Sequence, residues 1–298
     1  KFYFRWSTFR ELFGFSAKVL GNDVAILLNT NADISLVGRY LGDQALGAYS
    51  LALNLVKLPG TQLSAVVTKV AFPAFSAVQS DLPTFRRGFR TAISYISMIT
   101  FPVLIGLSLF AREFILLFLG AKWLDMVWPL ILLTPMAMLK SVGTIKGSVL
   151  KAVGRPEIEF WWNVIYLAPL AGVIYFGTRY GLVGVSAAFT TLYVLTFPII
   201  QTLTNRQGRL TNYDFLIALK PATVSGLFML AGGLGFKALN AQVLHWGALA
   251  TFAAGVPLVA LIYLAALWLL QRSALEPLLQ VLLEMKKTRG AEKIQARD

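Results

Sequence analysis

Lys57 lies near the middle of an apolar run from Ala45 to about Val67, with Asn54, Thr61, Ser64 and Thr68 at helical spacing around it and Pro59 two residues on. An ammonium at the centre of a bilayer costs about 2.5–3.5 kcal/mol on insertion scales, so such a group turns toward a bundle interior or a wet cavity. Lys140 sits in a comparable position in a later run and shares a helical face with Thr144, Gly147 and Lys151. At about 100° per residue, Lys18, Asn22, Asn29 and Asp33 fall within about 60° of one another. Ser50, Asn54, Lys57, Thr61, Ser64 and Thr68 fall within about 80° on the same arithmetic. Two successive helices thus carry polar stripes on otherwise apolar surfaces, which reads as a ligand-facing, hydrated wall. Two structural alternatives stand beside that reading. Small polar residues hold membrane helices together by hydrogen bonds, and Lys57 pairs with Asp23 as a buried ion pair without a transport role. Lys69 and Lys146, near span ends, read as lysines that snorkel to the head groups.

The elements that must position these residues follow from composition. The chain has 298 residues, 57% of them hydrophobic and 14% charged, where a soluble domain has roughly a quarter charged. This is a polytopic membrane protein. Each crossing needs roughly 20 mostly apolar residues, and eight such runs occur, near 12–36, 45–68, 88–110, 124–148, 160–178, 182–203, 218–238 and 247–270. Their lengths predict helices, an all-α fold, and not the ten-residue alternation of a membrane barrel. The connection from Phe72 to Arg90 mixes Phe72, Phe75, Phe85 and Phe89 with Asp81, Arg86, Arg87 and Arg90, and predicts an interfacial segment. Residues 271–298 predict an interfacial helix followed by a charged tail. Pro59-Gly60 and Phe101-Pro102 interrupt spans and permit hinges.

Seventeen Lys and Arg fall on one set of connections and five on the other, so the positive-inside rule puts both ends of this chain in the cytoplasm. Five lysines lie within spans (Lys18, Lys57, Lys69, Lys140 and Lys146) against Asp23 and Asp33 alone, a net positive interior. The formal charge of +13 is mostly topogenic, and no nucleic-acid module accompanies it. The absence of cysteine and the single His245 imply no metal centre and no cofactor. No phosphate loop, GxSxG or HExxH motif is present, so the chain does not read as an enzyme. It opens on Lys1 with no methionine, which reads as part of a longer polypeptide.

One succession of residues adds to this: Asn31-Ala32-Asp33, Val37-Gly38-Arg39-Tyr40-Leu41-Gly42, Leu46-Gly47-Ala48-Tyr49, Pro59, Phe72-Pro73-Ala74-Phe75-Ser76 with Gln79 and Asp81, Leu119-Gly120 with Trp123, and Ala152-Val153-Gly154-Arg155. In this order they resemble the second half of the oligosaccharide and polysaccharide flippases of the multidrug/oligosaccharidyl-lipid/polysaccharide exporter superfamily. The resemblance implies two six-helix lobes around a central cavity, with residues 1–203 as the second lobe, 204–270 as two trailing helices, and the N-terminal lobe of the same parent chain missing. It implies a bacterial inner (plasma) membrane protein that passes a polyprenyl-pyrophosphate-linked oligosaccharide across that membrane, alongside a polysaccharide polymerase and glycosyltransferases. It further points to Lys18, Asn22, Asn29, Asp33, Asn54, Lys57 and Thr61, and Lys140 joins the substrate-binding residues on its mid-span position. Lysines suit a pyrophosphate, Asn and Thr suit sugar hydroxyls, and Asp33 or Asp23 suits a coupling proton or sodium ion. A drug or metabolite antiporter of the same superfamily, or a membrane-embedded glycan polymerase or transferase subunit, stays open as an alternative.

Overall fold

Glycine and polar residues, more than any loop, set where the helices of this chain bend and end. The computed structural model describes residues 6–270, and gives the backbone alone at 7–12, 14–15, 17–19, 22 and 64–70; the tail expected at 271–298 lies outside the described residues. Among the described residues there is no strand. Helix α1 (Trp6–Ala77) is a pair of arms broken at Gly42, whose φ of 82° and ψ of 176° occupy a region essentially reserved for glycine. No loop separates the arms, where the sequence predicts a connection between about 36 and 45. Gly42→Val is expected to destabilise the fold by about 1–3 kcal/mol through backbone strain alone, seen as a lower midpoint of thermal unfolding in detergent.

Helix α2 (Leu82–Leu109) starts where Asp81 caps it, accepting from the Thr84 hydroxyl at 2.6 Å and the Thr84 amide at 3.3 Å. The Thr84 hydrogen bonds hold the Asp81 carboxyl below the usual carboxylate range. The cap is therefore complete above ordinary carboxylate pKa values and weakens as pH falls through the lowered one. The segment from Phe72 to Arg90 is not one continuous element: α1 runs on to Ala77 and α2 begins at Leu82, with only a turn between. Phe75, Phe85 and Phe89 are buried, and the first two rings meet at 5.1 Å. Phe72 stays exposed.

After α2 come α3 (Ala111–Phe114), a wide turn (Ile115–Leu119), a 3-10 turn (Ala121–Met126) and α4 (Val127–Ala152). Then follow α5 (Glu157–Thr178), α6 (Gly181–Gln207), α7 (Asn212–Leu239) and α8 (Ala248–Leu270). Among the described residues, six helical stretches are long and apolar enough to cross a membrane: Leu82–Leu109, Ala121–Ala152, Glu157–Thr178, Gly181–Gln207, Asn212–Leu244 and Ala248–Leu270. The expected count of eight is not reached by that measure. The two arms of α1 fall short of it because the Asn, Lys, Gln and Thr of their polar stripes lower their apolarity.

The arms of α1 pack against α4 and α5, and α6 closes that group; α2 stands between α4 and α7, and α8 lies on α7. One core gathers Val37, Tyr49, Leu53, Leu130, Leu133 and Ile174, and a second gathers Phe89, Ile93, Val149, Phe215 and Met229. Large apolar side chains such as Trp161, Ile165, Leu195, Leu227 and Leu261 stay exposed on the rim, as helices facing lipid require. Helices α2 and α7 are also joined by polar contacts. Arg90 donates from both Nε (2.8 Å) and Nη2 to one oxygen of Asp214, and the Thr211 amide and hydroxyl donate to the other at 2.8 and 2.7 Å.

Candidate functional site

The site begins at a close crossing of α1 and α4. A Cβ at Gly60 would lie 3.1 Å from the Ser141 Cβ and 3.4 Å from its Cα, so only glycine lets the backbones meet there without displacement. That crossing brings Lys57, one turn before Gly60, and Lys140, next to Ser141, to the same space. They line a cavity of about 250 Å³ together with Thr30, Thr61 and Thr144. Its hydroxyls are anchored to the helices: Thr61 donates to the Leu58 carbonyl at 3.0 Å, Ser141 to Met138 at 2.7 Å and Thr144 to Ser141 at 2.8 Å. Ser141 Oγ also lies 3.0 Å from Thr100 Oγ1, which ties α2 to the crossing.

Neither lysine forms a hydrogen bond or a salt bridge with a described residue. Their nearest electrostatic counterpart is Asp33, which is 1% exposed and interacts with Lys57 and, more weakly, with Lys140. Asp33 accepts from the Tyr49 hydroxyl at 3.1 Å and from the Ile34 amide at 2.9 Å. Asp33 and Tyr49 lie on opposite sides of Gly42, so this bond closes the two arms of α1 on each other. The acid is thus hydrogen-bonded within its own helix and acts on both ammonium groups through charge alone.

A second chamber of about 230 Å³ shares Thr30, Lys140 and Thr144 with the first and extends to Asn29, Lys146, Glu159, Asn163 and Tyr193. Asn29 donates to the Asn163 carbonyl at 2.8 Å, while its own Oδ1 is buried with no partner among the described residues. An orphaned acceptor of this kind costs about 1–3 kcal/mol and calls for a water or a ligand hydroxyl in the chamber. Lys146 interacts electrostatically with Glu159, which is buried against Gly147.

Of the residues expected from sequence, the structure brings Lys57, Lys140, Thr61 and Asn29 to the two chambers and sets Asp33 behind them. Asn54 is exposed and lines neither chamber, because its position on the helix points past the α4 contact. Asp23 is exposed too, and the alternative ion pair between it and Lys57 is not formed: the acid acting on Lys57 is Asp33. The side chains of Lys18 and Asn22 lie outside the described residues. Lys146 is a correction: it does not snorkel, since the crossing of α4 with α5 leaves it facing the chamber and Glu159. Glu159 and Asn163 carry no site signal in the sequence, because Glu159 falls one residue before the expected start of its span. Among the described residues, no group of three or more His, Asp and Glu converges to hold a metal. What the arrangement offers chemically is a pair of unbonded ammonium groups, amide and hydroxyl groups, and a shielded carboxylate. Such a set binds an anionic group by point charge and a hydroxyl-rich one by hydrogen bonds.

Residues 1–128 match the family described as "Polysaccharide biosynthesis protein". Among curated proteins, the chain is 32% identical over 182 residues to the lipopolysaccharide biosynthesis protein WzxC of Escherichia coli K12, covering 61% of this chain and 37% of that protein. It is 35% identical over 154 residues to the teichuronic acid biosynthesis protein TuaB of Bacillus subtilis, covering 52% and 32%. Similarity to the succinoglycan biosynthesis transport protein ExoT of Rhizobium meliloti is lower, 25%, but extends over 289 residues, 94% of this chain and 57% of that one. The chain thus spans between about a third and somewhat over half of these relatives. No solved structure matches.

Proposed function

We propose that this chain, similar over residues 1–128 to the polysaccharide biosynthesis proteins, is the cavity-bearing part of a flippase for polyprenyl-pyrophosphate-linked oligosaccharide repeat units. The observation that carries the reading is the pair Lys57 and Lys140, lining one cavity among apolar helices with no acid bonded to either. Two ammonium groups at membrane depth that share one acid, Asp33, and bond to none leave an excess positive charge that is costly unless an anionic ligand meets it, and a lipid pyrophosphate is such a ligand. The adjoining chamber, with the free acceptor of Asn29, suits the hydroxyls of the first sugars. In this reading residues 1–203 form the second lobe, 204–270 a trailing pair, and both ends face the cytoplasm of a bacterium. The lobe works by rocking against a first lobe supplied by the same parent chain. A net positive cavity disfavours organic cations and so speaks against a drug antiporter.

The test is loss of the full-length gene in its polysaccharide-producing host. Finished lipid-linked repeat is expected to accumulate in the cytoplasmic leaflet. Failure to make the repeat at all would instead assign the chain to synthesis, as a polymerase or transferase subunit.

Asp33 serves in this account as the coupling site, because it is buried and linked electrostatically to both lysines. Asp33→Asn keeps an acceptor for Tyr49 but removes the charge. Gradient-driven transport in vesicles is expected to fall by about fivefold or more, the lower end of a coupling free energy, and to become insensitive to collapse of the proton or sodium gradient. Unchanged sensitivity would remove Asp33 from that role.

A further inference from the structure

A dense patch of positive charge lies away from the two chambers, at the first turns of α2. Arg86, Arg87 and Arg90 line an open cavity of about 410 Å³ with Leu82, Pro83 and Thr91. The acid in contact with this group is Asp214, and its acceptors are already taken. A carboxylate has about four lone-pair sites, and Arg90 donates twice and Thr211 twice to them. Arg86 Nε is ion-paired with Asp214 at 3.3 Å but makes no hydrogen bond with a described residue and is buried. Arg87 is exposed and makes neither a hydrogen bond nor an ion pair with a described residue. Arg86 and Arg90 therefore share one saturated carboxylate, Arg87 feels only the charge of Asp81, whose oxygens are taken by Thr84, and neither Arg86 nor Arg87 makes a hydrogen bond with a described residue. The planar fork of guanidinium matches phosphate oxygens in pairs.

The position of the cavity narrows the ligand. It sits at the end of a membrane span, beside Leu82 and Pro83, on the side where Lys and Arg concentrate and which the positive-inside rule assigns to the cytoplasm. Anionic lipids populate that leaflet, and their phosphates lie at the depth of a span's first turns. We propose that Arg86, Arg87 and Arg90 form a site for the phosphate head group of an anionic lipid, seated against the α2–α7 junction. The site is independent of the transport reading, since it uses neither chamber.

The experiment places the purified chain in nanodiscs of phosphatidylcholine with a minority of phosphatidylglycerol and counts the lipids retained by native mass spectrometry. Preferential retention of phosphatidylglycerol is expected, reduced about fivefold by Arg87→Gln and similarly by Arg86→Gln. Arg87 does not pair with Asp214 and acts only through charge on Asp81, so its replacement leaves the junction with Asp214 intact. Lys220→Gln, an exposed charge on α7 outside the cavity, is expected to leave retention unchanged. No preference for phosphatidylglycerol, or an equal loss in Lys220→Gln, would overturn the proposal. An Arg87-dependent thermal shift with inorganic phosphate and none with the lipid would assign the site to soluble phosphate and overturn its lipid source.

Discussion

Lys57→Ala in the full-length protein is expected to lower translocation of the lipid-linked repeat by about 10- to 150-fold, the ratio that corresponds to ~1.5–3 kcal/mol for a hydrogen bond to a charged group. The magnitude rests on what Lys57 does not do inside the protein. It makes no hydrogen bond or salt bridge with a described residue and lines the cavity next to Lys140, so its loss removes a ligand contact and little packing. Protein amounts in the membrane should therefore stay near normal, and export normalised to those amounts carries the effect. Lys57→Arg keeps the charge on a longer, planar group and should restore part of the rate. Loss of protein together with loss of export would instead make Lys57 a structural residue.

The largest effect on stability is expected at Asp214. Its carboxylate is 1% exposed and collects Arg90 from α2 and Thr211 from the start of its own helix. Asp214→Ala frees the Arg90 charge at a helix junction and uncaps α7 at once; because the Arg90 side chain is 38% exposed, water takes up part of its charge and the cost falls below the roughly 3–5 kcal/mol of a fully buried pair. The midpoint of thermal unfolding in detergent should fall accordingly, with α7 and α8 becoming sensitive to protease before the rest. Asp214→Asn, which can still accept from Thr211, should lose less. Export in the full-length protein at low temperature, where the fold survives, is expected to change far less than in Lys57→Ala, because Asp214 touches neither chamber.

Much of this arrangement is legible in the order of the amino acids. A lysine in an apolar run has few places to go, so Lys57 and Lys140 point to a polar interior on cost alone, and Asp33 follows from its stripe. The partner of Lys57 is harder to read: Asp23 and Asp33 lie on the same helix, and which one turns inward depends on the Gly42 break and the Tyr49 bond across it. Periodicity does not carry that information, since a single backbone torsion redirects the whole arm. Glu159 and Lys146 escape a periodicity argument for a related reason. Both lie within a turn or two of a span boundary, where the choice between lipid head groups and a neighbouring helix is made by packing. In the segment from Phe72 to Arg90 the same competition divides the aromatic residues, with Phe75, Phe85 and Phe89 buried and Phe72 exposed. Even the span count reflects the chemistry, because the polar residues that make the α1 arms useful also make them less apolar than their neighbours.

The chain has no cysteine, so a single introduced thiol reports on its own surroundings. The most direct measurement is the labelling rate of Lys57→Cys and Lys140→Cys in membranes by a water-soluble, membrane-impermeant thiol reagent, with Leu261→Cys on the lipid-facing rim as reference. A hydrated anion site predicts that both positions react well above the reference and are protected by added polyprenyl pyrophosphate. Labelling no faster than at Leu261, or labelling that the pyrophosphate leaves untouched, would contradict a phosphate-binding cavity between α1 and α4.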